Sequence, residues 1–216
     1  SKGIEDSNCY IEEMKSFPEN VEILSTKTYK VGSGSKFLEN EGLGVVTAAF
    51  HTSLLLLPQK PLTPRKADYR VGFFTNRHYD YSNNDSQHAE RMNYACRWRL
   101  EPKDKKAYFA GELVEPVKPI TLYLSPSIPK KWIPYFIQGI EDWQPAFEAA
   151  GFKNAIVAKP FPSKEENPDF DPFDARYSVV EYFPSYVENS YGPHVSDPRT
   201  GEIINTHVCI FHNALK

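Results

Sequence analysis

Six histidines, His51, His78, His88, His194, His207 and His212, are the residues of this 216-residue chain with the widest scope for chemistry. No two stand in an HxxxH relation, so the sequence lacks the pair of imidazoles on one helical face that holds zinc in many metallopeptidases. His207 and His212 are five apart in an expected strand and therefore point to opposite faces. His194 and His207 are a different case, because they flank the turn DPRTG at 197–201 on the two arms of one expected hairpin. If Asp197 faces Glu202, His194 faces Asn205 and His207 lies two residues along on the same side of the sheet. A longer turn would set the two imidazoles face to face. His194 and His207 are thus a candidate metal pair, although two ligands are too few and a carboxylate would have to join from elsewhere. A one-residue change of register puts them on opposite faces and leaves ordinary hairpin residues.

Other clusters read as surface chemistry. Asp169, Asp171 and Asp174 have a spacing that suits a calcium loop, but Asp174 and Val180 stand where such a loop needs Gly and Glu, so a solvated loop is expected. Glu141 and Asp142 are neighbours on an expected helix and point in different directions. GSGSK at 32–36 is half of a phosphate loop with no helix after it, and reads as a turn. Arg97, Trp98 and Arg99 with Lys103, Lys105 and Lys106 set a basic cluster beside an aromatic that could stack on a base or a sugar.

The charge balance argues against a polyanion partner, since 25 Lys and Arg face 28 Asp and Glu for a net charge of −3. No nucleic-acid partner is expected. With 40% hydrophobic and 14% aromatic residues there is material for a sizeable core. No apolar run approaches the roughly 18 residues of a membrane span, so none is expected. Cys9, Cys96 and Cys209 are too far apart for a metal knuckle and allow at most one disulfide.

The elements that must position these residues change character along the chain. Before residue 116 the pattern is of period two and rich in β-branched and aromatic residues at 21–29, 44–57, 70–79 and 94–100, which predicts strands. Turn-rich or charged pieces at 32–36, 58–64, 81–87 and 101–106 separate them. From EPVKP at 115–119 onward, strand alternates with helix. Strands are predicted at 120–124, 155–158, 176–183, 192–196 and 203–211. A helix is predicted to open at Pro129 and run to Gly151 as its C-terminal cap, with a kink or break at Pro145. The expected fold class is α+β: a mostly antiparallel β region over 1–116, then a β-α-β-β-β-β unit over 117–216.

The stretch IPKKWIPYFIQGIEDWQPAFEAAGFKNAIVAK, with DPFDARYSVVEYF and SYGPHVSDPRTGEIINTHV, resembles bacterial zinc-dependent metalloproteases of the Met-zincin type. In that family a large, uncharacterised β-rich region precedes the peptidase domain. SFPENVEI, LLLLPQKPLTPRKADYRVGFFT and RWRLEPKD, with VKPITLYL at the junction, resemble the end of that region. DPRTGEI and the helix end from Trp143 through Phe147 to Phe152 are specific in combination.

The resemblance implies a peptidase domain whose HExxH helix binds zinc and whose Glu is general base to the metal-bound water. That helix is not among these residues, so the chain is expected to be a fragment, inactive alone and completed by the remainder of its own peptidase domain. Residues 1–116 would be the accessory region and 117–216 the zincin-like upper subdomain, truncated before the zinc helix. No catalytic residue is assigned to the chain. In related zincins the edge strand of that subdomain borders the cleft and pairs with an extended peptide or protein substrate. By position in the order, Tyr191, Gly192, Pro193, His194 and Val195 are the expected substrate-binding edge, with Pro193 suited to an edge strand. The resemblance also implies an extracytoplasmic place: periplasmic, surface-attached or secreted. The competing reading is a non-catalytic module that holds a polysaccharide or protein through exposed aromatics such as Tyr79, Tyr81 and Trp98.

Overall fold

Alternating strand-forming residues flanking tight turns dominate both halves of the chain, and the resulting sheets fall into two compact units. The structure, a computed structural model, describes residues 8–30, 45–82, 85 and 87–215. The first unit comprises Ser1–Leu57 with Phe173–Ala175, and the second Pro58–Pro172 with Arg176–Lys216. These units part at Leu57, whereas the change of hydropathy pattern falls at 115–119. GSGSK at 32–36 lies outside the described residues.

In the first unit, β1 (Tyr10–Ser16), β2 (Asn20–Lys30) and β3 (Val45–Leu55) form an antiparallel sheet in the order β1-β2-β3. β2 and β3 pair without a break, from Asn20 opposite Leu55 to Lys30 opposite Val45. β1 carries a register shift between Ile11 and Glu13. The central strand buries polar side chains, Asn20, Glu22, Ser25 and Thr28, at positions where a sheet core ordinarily holds apolar ones. They are satisfied locally: the Thr28 and Thr47 hydroxyls lie 2.8 Å apart, and Ser25 Oγ donates to the Phe50 carbonyl at 3.4 Å.

In the second unit, β4 (Thr75–Asp80) and β5 (Glu90–Ala95) make a hairpin, and β6 (Arg97–Trp98) follows. The expected strand at 94–100 is thus divided by Cys96, which instead donates its N–H to the Phe74 carbonyl. The charged spacer at 101–106 also differs from expectation, because Asp104 caps a short helix, α1 (Lys105–Phe109), by accepting the Ala107 N–H.

The larger sheet contains β7 (Ile120–Leu124), β8 (Ile156–Pro160), β9 (Ser178–Phe183), β10 (Ser190–Tyr191), β11 (His194–Ser196) and β12 (Glu202–Phe211). Its order is β10-β12-β9-β7-β8, with β11 also on β12 and β6 alongside the start of β12. β8, β7, β9 and β12 run parallel; β10 and β11 are antiparallel to β12. The chain is therefore an α+β protein, mostly strands, with antiparallel sheets and one mixed sheet that has a parallel centre.

The long helix divides in two: α2 (Ile133–Glu141) and α3 (Gln144–Ala149). Pro134 and Pro145 each lie in a first turn, where the missing N–H has no helical partner to lose. Pro129 stands ahead of the helix, its carbonyl accepting the Trp132 N–H. The break at Pro145 lets Gln144 turn to the sheet, where Nε2 donates to the Ile156 carbonyl at 2.6 Å and Oε1 accepts the Ala155 N–H at 3.3 Å. Gly151 ends α3 with φ of 89° and acts as the expected cap. Ile133, Phe136, Ile137 and Ile140 of α2 pack on a buried cluster of Leu124, Ile128, Val180 and Tyr182, against which Val208 and Ile210 of β12 also pack. One face of the mixed sheet thereby becomes the core.

Candidate functional site: the edge hairpin

The turn DPRTG builds the hairpin from its own side chains. Asp197 is fully buried and accepts the Arg199 N–H at 2.8 Å, while its carboxylate is gripped by Arg199 Nη2 at 2.7 Å and Nε at 3.0 Å. Arg199 also donates to the Pro58 carbonyl. The guanidinium holds the Asp197 carboxyl below the usual carboxylate range, and the carboxylate in turn raises Arg199. Gly201 has φ of 78°, and a Cβ there would stand 2.4 Å from the Ala95 carbonyl oxygen. Glu202 then receives a bidentate Arg99, at 2.7 and 2.6 Å, which raises the guanidinium further.

Asp197 does face Glu202, its N–H donating to the Glu202 carbonyl at 2.8 Å. A bulge then intervenes. Ser196 pairs with Ile203 but Val195 pairs with Asn205, so His194 lies opposite Thr206 and not Asn205. That one extra residue places His194 and His207 on opposite faces of the hairpin, and the candidate metal pair does not converge. Their surroundings agree: His194 stands 5.5 Å from the Phe74 ring, whereas His207 Nε2 is 2.7 Å from Glu181 Oε2. Among the described residues no three His, Cys, Asp or Glu side chains form a metal-binding group. His212 lies beyond β12 in a short 3-10 turn, its Nδ1 against the Tyr182 hydroxyl.

Of the residues Tyr191 to Val195, Tyr191 lies in β10 and His194 and Val195 in β11, two short strands that both pair with β12, with Gly192 and Pro193 linking them. The His207 N–H donates to the Pro193 carbonyl at 3.2 Å, so this is a hydrogen-bonded pair of the antiparallel ladder. Alternation then turns the main-chain N–H and C=O of Gly192 and His194 outward, away from β12. Pro193 points its missing N–H inward instead, and Cys209 Sγ, 3.8 Å from the His207 carbonyl, supplies a weak donor there. Burial raises the Cys209 thiol, and its bond to Cys209 raises the exposed Tyr191 hydroxyl. The edge therefore offers two outward peptide groups beside exposed Tyr191 and Val195. That is the chemistry that pairs with an extended chain.

Asp169 is exposed, but Asp174 is fully buried, so the acidic loop is not uniformly solvated. Glu141 and Asp142 are exposed as expected. The basic cluster is largely committed elsewhere: Arg99 to Glu202 and Glu101, Arg97 to the Thr63 carbonyl, Lys103 to Glu115. Trp98 is half-buried in β6, while Tyr79 and Tyr81 are exposed. Cys9, Cys96 and Cys209 form no disulfide with one another.

One further cluster, in the first unit, has no spacing signature in the sequence. Glu22 is buried and accepts from Asn20 Nδ2 and from Ser53 Oγ at 2.7 Å, with His51 Nε2 at 3.2 Å. Asn20 also bonds the Phe173 carbonyl and the Ala175 N–H, each at 2.9 Å. A cleft of about 140 Å3 lies here, lined by Glu13, Lys15, Glu22, Leu24, His51 and Phe173. The carboxylate stands between the imidazole and the hydroxyl, so the histidine is not placed to take the Ser53 proton. The cluster anchors Phe173–Ala175 to the sheet. No sequence signal marked it, because Glu22 stands opposite Ser53 only through the register in which β2 pairs with β3.

The fold and the edge define a β-rich α+β protein with an open strand edge. Residues 1–103, just under half of the chain, match the model of a family described as a domain of unknown function, DUF5117. No curated protein and no solved structure matches the chain. Among the described residues no helix is long and apolar enough to cross a membrane.

Proposed function

We propose that this chain is the substrate-side part of a bacterial, extracytoplasmic zinc-dependent metalloendopeptidase of the Met-zincin type. The observation that carries the reading is the antiparallel edge strand within SYGPHVSDPRTGEI, with the Gly192 and His194 peptide groups turned outward from a sheet backed by α2. An extended substrate adds to that edge through main-chain hydrogen bonds, and side-chain pockets beside it set preference. Residues 117–216 are the zincin-like upper subdomain and 1–116 its accessory region. This chain's part is binding and orientation. His194 and His207 diverge and do not fit a zinc ion, so the metal and the hydrolytic step belong to the remainder of the peptidase domain.

The test is to read the source gene beyond codon 216 and to assay the extended protein for zinc and for endopeptidase activity. An in-frame HExxH with stoichiometric zinc and peptide hydrolysis supports the reading; a frame without the motif and a product without zinc overturns it. A second reading, a binding module for polysaccharide or protein, is favoured by the exposure of Tyr79 and Tyr81, at 55% and 80%. It requires saturable binding by the 216-residue chain that is lost when both are changed to Ala.

A further inference from the structure

We propose that Phe74, which lies in the stretch matching the domain of unknown function, is the apolar wall of a side-chain subsite beside β11, and that the edge thereby selects extended peptides carrying an aromatic or large aliphatic residue opposite His194. The inference rests on the reading of β10 and β11 as a peptide-binding edge and adds a selectivity to it.

Three observations meet at this point. The first is the outward direction of the His194 N–H and C=O, which follows from the His207 to Pro193 hydrogen bond. A peptide strand that pairs with those groups places one residue directly opposite His194. The side chain of that residue emerges on the same face as His194, because paired residues in a ladder share a face. The second observation is that Phe74 occupies this face, its ring 5.5 Å from the imidazole and tilted by 57°. Its side chain is 76% exposed, so most of the ring is open to an incoming group.

The third is that Phe74 is held in place by groups other than its own side chain. Its carbonyl accepts the Cys96 N–H at 2.7 Å, and two residues on Asn76 Nδ2 donates to Ser196 Oγ at 3.0 Å and to the Asp197 carbonyl at 3.1 Å. The segment is thereby pinned to the end of β11 itself. Because the backbone that carries the ring is already held, covering the ring with a ligand orders only the Phe74 side chain. The occupant is an extended peptide because the recognising groups are main-chain donors and acceptors at strand spacing; the apolar preference comes from the ring.

The experiment uses the 216-residue protein and short fluorescent, N-acetylated and C-amidated peptides of strand-forming sequence that differ only in a central Phe or Ser. Binding is read by anisotropy, with sedimentation to detect self-association. The Phe peptide is expected to bind about tenfold more tightly than the Ser peptide, a preference that Phe74→Ala removes and Phe74→Leu largely keeps. Gly192→Pro, which deletes an outward N–H, is expected to weaken both peptides. Gly192→Ala keeps that N–H, and its Cβ would meet Val208 at an ordinary 3.5 Å.

If Gly192→Pro abolishes binding but Phe74→Ala keeps the Phe preference, the subsite is overturned and the edge reading stands. If Gly192→Pro binds as the parent does, or no peptide binds, the edge reading fails and the subsite falls with it. Peptide-resistant dimers that Gly192→Pro converts to monomers would assign the edge to a second copy of the chain and overturn both.

Discussion

The His207 amide donates to the Pro193 carbonyl at 3.2 Å, and that hydrogen bond determines which peptide groups of the edge strand turn outward. Had the pairing slipped by one residue, Pro193 and its neighbours at 191 and 195 would face out, and one of the three would offer no donor. The Asp197 N–H, which donates to the Glu202 carbonyl, belongs to the same alternation, so Gly192 and His194 turn outward whatever happens on β12. The bulge between Val195 and Ser196, whose extra residue lies on β12, separates His194 from His207.

Replacing both histidines by Ala should therefore leave the zinc content of this chain unchanged after dialysis against a weak chelator. Elemental analysis of the purified parent and double variant is the check. Stoichiometric zinc in the parent, lost in the variant, would mean that the two side chains meet after all.

Asp197 should make the hairpin acid-sensitive. Its folded-state carboxyl lies below the usual range because Arg199 grips it, so its contribution to stability is complete above the unfolded value of ~3.9 and is lost as the pH falls through the lower folded value. Asp197→Asn is expected to cost about 1–3 kcal/mol at neutral pH and to flatten the decline of stability below about pH 4. Urea unfolding at several pH values reads both. Parallel curves for parent and variant would refute the linkage.

Gly201→Ala combines a positive φ with a Cβ 2.4 Å from the Ala95 oxygen, and is expected to destabilise the second unit by about 2–4 kcal/mol. Gly72→Ala, where a Cβ meets nothing within 4 Å, should stay within about 0.5 kcal/mol of the parent. Equal melting curves for the two variants would contradict this account of the turn.

In the first unit, Glu22→Ala removes the acceptor for Asn20 and Ser53 and should cost about 1–3 kcal/mol, with new protease sensitivity around residues 173–175. His51→Ala, at a partly exposed position, should cost less than about 1 kcal/mol. A larger loss at His51 than at Glu22 would reverse their assigned roles.

Gln144→Ala is expected to cost about 1 kcal/mol and to speed hydrogen exchange at the Ala155 amide, which it bonds. Unchanged exchange there would show that the helix break does not staple the sheet.

Much of the strand plan is legible in the sequence. The strand at Ile120–Leu124 lies at its predicted limits, and those at 21–29 and 203–211 extend by one residue or so. Periodicity carries such information because a half-buried strand must alternate. Boundaries were misjudged where side-chain hydrogen bonding competes with pattern. Asp104 caps a helix inside a charged spacer, and Cys96 gives its amide to Phe74 and so divides a predicted strand. β1, with Glu12, Glu13 and Lys15 in a strand largely open to solvent, has too weak an alternation to be read from sequence.

The amino-acid sequence by itself determined the α+β class, the break at Pro145, the cap at Gly151 and the presence of a turn at DPRTG, because each depends on patterning and backbone preferences within a few residues. The tertiary structure alone decided the bulge that turns His194 away from His207, the outward direction of Gly192 and His194, the meeting of Glu22 with His51 and Ser53, and the approach of Phe74 to the edge strand. Those are relations between residues about 30 to 120 positions apart, or changes of register by a single residue. Local propensity is nearly indifferent to both, and only the packing of whole strands selects among them.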